Sequence, residues 1–260
     1  MSNVNHSFED AAMHLVRVSL FTGLIALVGC YTHSEAPPAP AAQSAGTKKD
    51  EAKTTGESKK VPVGKNVTLE VLPDKSRRVL VNATVCLREG TLEQLLTRAR
   101  TKEHEAILAA EIDARDLHTA LLYAGAEEGK PVSYDPKFTP PTGTTVKVFL
   151  EYLEQGQKKR VAAQEWIRNT KTKKALHTDW VFAGSRFDPN QIDPESKKPY
   201  YAANIGDVIC ISNFDSALLD VPFNSPKDND DLTFEAHTAR IPPEKTAVTV
   251  VLEPVLAKKK

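Results

Sequence analysis

Apolar and polar residues alternate with period two along much of the chain. Val67, Leu69 and Val71 alternate cleanly, as do Val79, Val81, Ala83 and Val85, and then Val146, Val148, Leu150 and Tyr152. Asp207–Ser212, Leu232-Phe234-Ala236 and Val248-Val250-Leu252 read the same way. This period marks strands with one buried face. The breakers between them are turn residues: Pro73-Asp74, Pro140-Pro141-Thr142-Gly143, Gly156, Asp188-Pro189-Asn190, Asp193-Pro194 and Pro242-Pro243. One stretch has helical spacing instead. Leu117, Ala120, Leu121 and Ala124 form a stripe, Asp113 is placed to cap it, Asp116 sits where a capping-box acid would be, and Gly125 stops it. Shorter helices are expected over Gly90–Leu96 and Ser216–Leu219. Together these elements predict an α+β domain: β-rich, mostly antiparallel, with one main helix over about 113–124.

The N-terminus has a different pattern. An apolar run, Val18–Val28, ends in Leu27-Val28-Gly29-Cys30. The run is too short to span a bilayer, which takes about 20 apolar residues. A small residue followed by cysteine is how a bacterial lipoprotein signal peptide ends. Residues 1–29 therefore read as a signal peptide and Cys30 as the lipidated first residue of the mature chain. The alternative is an ordinary signal peptide or short buried segment with Cys30 incidental. Arg17 is the one basic residue before the run, and Glu9 and Asp10 precede Met13, so Met1 and Met13 both stand as starts. Residues 31–60 are rich in Ala, Pro, Lys, Glu, Ser and Thr, with no large aliphatic before Val61. Such a segment cannot offset its ordering entropy by burial and reads, with Cys30, as a disordered tether over 30–60. Position 31 is Tyr rather than Asp, which resembles the sorting pattern of outer-membrane lipoproteins. The expected location is thus the cell envelope, lipid-anchored at the outer membrane and facing the periplasm.

The remaining 61–257 is long enough for one domain with a real core, with neither an internal repeat nor a second linker in its sequence. Lys258-Lys259-Lys260 is a basic tail, either solvated or in weak contact with anionic lipid. Charge is balanced, with 34 Lys and Arg against 34 Asp and Glu. That gives no basic patch for nucleic acid. With Cys30 lipidated, Cys86 and Cys210 remain as an even pair in an oxidising compartment, read either as a disulfide or as two buried thiols. They make no zinc or iron–sulfur motif.

Familiar catalytic motifs are missing. Gly125-Ala-Glu-Glu-Gly129-Lys130-Pro131 is one residue short of a phosphate loop, and Pro follows its Lys. Ser185 has Ala183 and Phe187 where a nucleophile elbow has glycines. Asp228-Asn229-Asp230-Asp231 lacks the Gly and Glu of a calcium loop. The densest polar cluster is Lys102-Glu103-His104-Glu105. In a strand it would put Glu103 and Glu105 on one face and Lys102 and His104 on the other. It reads as an acid–base or metal site, or as a charged strand edge that blocks unwanted pairing. His118 flanks the helical stripe, as a half-buried core histidine or as a ligand or base beside His104. If a metal binds, His104 and His118 are its ligands. His177 and Asp179 share a face if extended, and Arg186 could hold an anion. Asn213 and Asp220 read as caps.

Lys102-Glu103-His104-Glu105, His118-Thr119-Ala120-Leu121-Leu122, Asp179-Trp180-Val181-Phe182-Ala183-Gly184-Ser185, Ser212-Asn213-Phe214, Leu219-Asp220-Val221-Pro222 and Ile241-Pro242-Pro243 together form a pattern. It resembles the YdjY-domain family over about residues 62–255. The resemblance implies that Lys102, Glu103, His104, Glu105 and His118 share a site, and it carries no settled activity. Some relatives are associated with iron–sulfur modules, whose cysteine clusters this chain lacks. Three functions remain: a lipid-anchored, non-enzymatic domain binding an envelope protein or small ligand; a metal-dependent or acid–base, hydrolase-like enzyme using Glu103, His104, Glu105 and His118; and an accessory to envelope redox chemistry that cycles Cys86 and Cys210.

Overall fold

The computed structural model describes residues 56–194, 197–226 and 232–257. The residues read as a signal peptide, Cys30, most of the expected tether, the Asp228–Asp231 run and the Lys258–Lys260 tail lie outside these residues. The described elements are, in chain order, β1 (Lys59–Gly64), β2 (Val67–Val71), β3 (Arg77–Val85), β4 (Gln94–Arg98), β5 (Ala106–Ala110), α1 (Ala114–Tyr123), β6 (Thr145–Glu154), β7 (Gln157–Ala162), β8 (Ile167–Asn169), β9 (Trp180–Phe182), β10 (Phe187–Ile192), β11 (Pro199–Tyr201), β12 (Ile209–Cys210), β13 (Leu219–Asp220), β14 (Phe234–Ala236) and β15 (Ala247–Pro254). The tether expected to run to residue 60 gives way at Lys59, where β1 begins.

The expected α+β sheet domain is corrected to a closed β-barrel. Among the described residues, strands make up 42% and helix 9%. Eight strands pair in the ring β3-β15-β6-β9-β13-β12-β4-β5, and β5 returns to β3 through Thr84↔Ala109 and Val85↔Leu108. β1 and β2 extend the sheet beyond β3, and β7 extends it beyond β6. The pairs β4–β5 and β12–β13 are parallel, and the other pairs are antiparallel. Closure removes the two long edges that an open sheet would expose.

The local chemistry explains the pieces. Leu69, Val79, Val81, Val148, Leu150, Val250 and Leu252 point into the core. Gln155 and Gly156, both at positive φ, make the two-residue turn between β6 and β7. Asp113 caps α1 by accepting from the Arg115 amide at 2.9 Å. Leu117 and Leu121 bury the helix against β1, β2 and β3. The two shorter helices do not form. Gln94–Leu96 lies in β4, and Leu219 begins β13 after a turn. Outside the barrel, Glu70, Arg78, Glu253, Arg160, Glu151 and Lys158 form an ion-pair ladder across β2, β3, β15, β7 and β6.

Gly143 fixes how the 125–145 segment meets the barrel. Its φ is +134°, and a Cβ there would sit 2.1 Å from the Phe182 carbonyl oxygen, which also accepts from the Gly129 amide at 2.9 Å. Gly143→Ala is therefore expected to cost more than about 1 kcal/mol of stability in urea unfolding. An unchanged midpoint would show that the segment shifts freely.

Candidate functional site

Residues 102–105 form a turn, not a strand, in the loop 99–105 that joins the parallel strands β4 and β5. The loop is held at several points. Thr101 Oγ1 donates to the Arg98 carbonyl at 2.5 Å, Thr97 Oγ1 donates to the Gly206 carbonyl at 2.9 Å, and Glu103 accepts from the Arg100 amide. Gly206 allows the approach, because a Cβ there would lie 2.6 Å from Thr101 Oγ1. The expected facing pair of Glu103 and Glu105 is thus not made. Glu103 closes the loop, the side chain of His104 is 77% exposed, and Lys102 and Glu105 turn inward together.

Lys102 Nζ lies 3.0 Å from Asp207 Oδ1, 3.4 Å from Glu105 Oε1 and 3.9 Å from Glu93 Oε2. The Phe214 ring covers it, with the centroid at 4.4 Å. Asp207 is fully buried; Gln94 Nε2 donates to its Oδ1 at 3.1 Å and Ser216 Oγ to its Oδ2 at 2.5 Å. One ammonium therefore faces three carboxyl groups. Burial pushes the Glu93 carboxyl up to about 7, helped by the Glu105 charge and by a hydrogen bond to Glu105. Burial acts to lower the Lys102 pKa, but Asp207 and Glu105 outweigh it and hold the ammonium above its ordinary value.

Behind this cluster lies a second buried layer. Asn213 Nδ2 donates to Asp220 Oδ1 at 3.1 Å, and the Ser225 amide donates to Asn213 Oδ1 at 2.7 Å. The two residues read as caps thus bond to each other. Asp220 Oδ1 also accepts from the Val221 amide at 2.7 Å, while its Oδ2 has no donor. Burial pushes Asp220 up to about 8.

His118 belongs elsewhere. Its Nδ1 meets the Tyr201 hydroxyl at 2.8 Å and its Nε2 meets Glu128 Oε2 at 3.1 Å, with the Phe182 ring edge-on at 5.0 Å. Burial lowers its pKa against the pull of Glu128. None of these contacts involves His104, so the structure does not join the two histidines. The layers do connect through Ser185, which stands at φ +58°: its Oγ donates to the Ser216 carbonyl at 2.7 Å, and Ser216 in turn holds Asp207. Among the described residues, no group of three or more His, Cys, Asp or Glu has the arrangement of a metal site.

The secondary candidates are peripheral. Asp179 accepts from Gln164 Nε2 at 2.8 Å beside the exposed His177, in a small surface depression. Arg186 pairs with Asp215 at 3.3 Å on the surface. Of the two readings for Cys86 and Cys210, the structure has free thiols, and the strands β4 and β5 stand between β12 and β3. Burial, with Glu103 nearby, pushes the Cys86 thiol up to about 12, and burial raises Cys210 as well, so both resist forming thiolates.

Sequence reasoning missed Glu93, Asp207, Ser216, Tyr201 and Glu128. Glu93 fell inside a predicted helix, and Glu128 inside the false phosphate loop. Asp207 opened a predicted strand, Ser216 opened a predicted helix, and Tyr201 carried no spacing signal.

Fold and site define a closed β-barrel domain with a buried acidic network opening at the β4–β5 loop. The chain belongs to the YdjY domain family, whose model matches residues 71–253. No curated protein and no solved structure matches it.

Proposed function

We propose that the protein is a lipid-anchored domain of the cell envelope that binds a ligand bearing a positively charged group. Cys30 would hold it at the membrane, and the tether would carry the barrel away from the surface. The reading rests on the Lys102 cluster, where one ammonium faces the carboxyl groups of Glu93, Glu105 and Asp207 in a half-buried site. The cluster is short of positive charge, and the proton that burial favours on Glu93 covers part of the deficit. A ligand ammonium at Glu93 and Glu105 would take the place of that proton.

Calorimetric titration of the protein with spermidine at pH 7, in two buffers of different ionisation enthalpy, tests this. Saturable binding with release of up to about one proton is expected, because a cation lowers a carboxyl pKa that starts near the working pH. Glu105→Gln should weaken binding at least tenfold. No saturable binding, or binding unchanged in that variant, would end the proposal.

One observation favours a second reading. A carboxylic acid whose proton affinity burial raises, set beside a second carboxyl group, can serve in acid–base chemistry. Here the pair is Glu93 and Glu105, not the two histidines. It predicts hydrolytic turnover whose pH profile breaks near 7 and disappears in Glu93→Gln; turnover that survives in that variant would exclude it.

A further inference from the structure

Four exposed apolar residues come together at one end of the barrel. β3 starts there at Arg77, whose Nη1 donates to the Tyr123 carbonyl oxygen at the end of α1, 2.8 Å away. β15 ends there: Leu252 pairs with Val79, and the chain runs on through Pro254 to Val255 and Leu256. A Cβ on Gly125, just past α1, would meet Leu256 Cδ1 at 3.1 Å, so the end of the helix lies against the end of the chain. Leu122, Tyr123, Val255 and Leu256 are each between 45% and 57% exposed. Single residues of this kind are ordinary on a surface, whereas a contiguous group marks a place of contact.

The same end carries basic charge. The turn between β2 and β3 presents Lys75 beside Arg77, both exposed, and Lys258-Lys259-Lys260 follow Ala257 in the sequence. Gly56 and β1 start here as well: a Cβ on Gly56 would meet Pro73 of that turn at 3.1 Å, and Lys59 pairs with Val71. The opposing acids are Glu57, Glu127 and Asp74, the last bonded to Ser76. We propose that this end of the barrel is a docking surface for an anionic lipid bilayer. Apolar side chains ringed by Lys and Arg match an anionic leaflet, whose headgroups attract the cations while Tyr and Leu enter the boundary below them. The chain that leads back to Cys30 and the chain that leads on to the three lysines both leave from this end. Docking here turns the Lys102 cluster away from the bilayer. β3 runs from Arg77 to Val85, and beyond it Cys86 Sγ meets the Ala106 carbonyl oxygen, where the β4–β5 loop ends. The surface requires neither a lipid on Cys30 nor a cation at the Lys102 cluster, so it and the proposed function can fail separately.

Tryptophan quenching tests this. Trp166 and Trp180 are buried, so a tryptophan added at the surface is the one that lipid can reach. Full-length Leu256→Trp and Tyr123→Trp proteins are mixed with vesicles of phosphatidylglycerol and phosphatidylethanolamine that carry acyl-brominated lipid. A blue shift and quenching are expected, and neither is expected with brominated phosphatidylcholine vesicles. Leu153→Trp, at the exposed far end of β6, should stay unquenched, which controls for tethering through Cys30. Each lysine at an anionic leaflet is worth about fivefold in affinity. Lys258→Gln, Lys259→Gln and Lys260→Gln together should therefore lower the ratio of docked to undocked protein on the order of 100-fold. Three results would each overturn the proposal: anionic vesicles that quench neither Leu256→Trp nor Tyr123→Trp, equal quenching at Leu153→Trp, or quenching undiminished by the lysine replacements. The first would leave the patch to a protein partner.

Discussion

Asp207→Ala is expected to lower the unfolding free energy by about 3–5 kcal/mol at pH 7, the usual cost of removing one partner from a buried ion pair. Asp207 has no solvent exposure, and three donors converge on it: Lys102 Nζ at 3.0 Å, Gln94 Nε2 at 3.1 Å and Ser216 Oγ at 2.5 Å. Alanine leaves a buried hydroxyl and a buried amide without an acceptor. It also loosens the link between the β4–β5 loop and β12, since Lys102 reaches across from that loop. Lys102→Met should cost less. It leaves Asp207 its donors from Gln94 and Ser216, and the side chain it replaces is 22% exposed. Urea unfolding of both variants checks the order. A loss below about 1 kcal/mol in Asp207→Ala would mean that the pair contributes little beyond a surface contact.

The half of the barrel that the sequence shows is the half with one wet face. In β3, β6 and β15 inward residues alternate with outward ones, so period two is visible in Val79–Val85, Val146–Tyr152 and Val248–Leu252. The other arc is buried on both sides. Trp180, Val181 and Phe182 in β9, Ile209 and Cys210 in β12 and Leu219 and Asp220 in β13 are all buried, and strands of two or three residues carry no period. Closure depends on that arc, which is why an open sheet with a helix was expected. The helix itself was legible because its signals are local: Asp113 caps it and Leu117 and Leu121 bury it. The site was legible in part. Lys102 and Glu105 stood out as charges beside an apolar run, but a strand puts them on opposite faces, whereas the turn brings them together. Glu93 meets them where its amide donates to the Glu105 carbonyl beside the β4–β5 pairing, and Asp207 joins through the β12–β4 pairing, a contact between residues more than a hundred positions apart. No local pattern encodes such a contact.

Asp220 should make the protein less stable as pH rises from about 4 to about 8. Burial lifts its carboxyl from 3.8 to about 8 in the folded state, against donors from Val221 and Asn213. The Phe214 backbone also opposes the shift, and burial outweighs all three groups. Between the two pKa values the native state binds a proton that the unfolded chain has lost. Stability then falls by about 1.4 kcal/mol per pH unit, is fully retained below 3.8, and levels off above 8. Glu93 acts in the same direction, with its upper limit near 7. Glu70, Asp113 and Glu151 act oppositely, but their lowered pKa values confine their effect to pH below about 4.5. Asp220→Asn mimics the neutral acid and cannot ionise. Urea unfolding free energies of the two proteins at pH 5, 6, 7 and 8 should therefore diverge: the wild-type protein loses stability at each step, and the variant loses about 1.4 kcal/mol less per unit. Parallel curves would show that the Val221 and Asn213 donors overcome burial and keep Asp220 ionised. The buried layer behind Lys102 would then be an anion held by the barrel, not an acid stored in it.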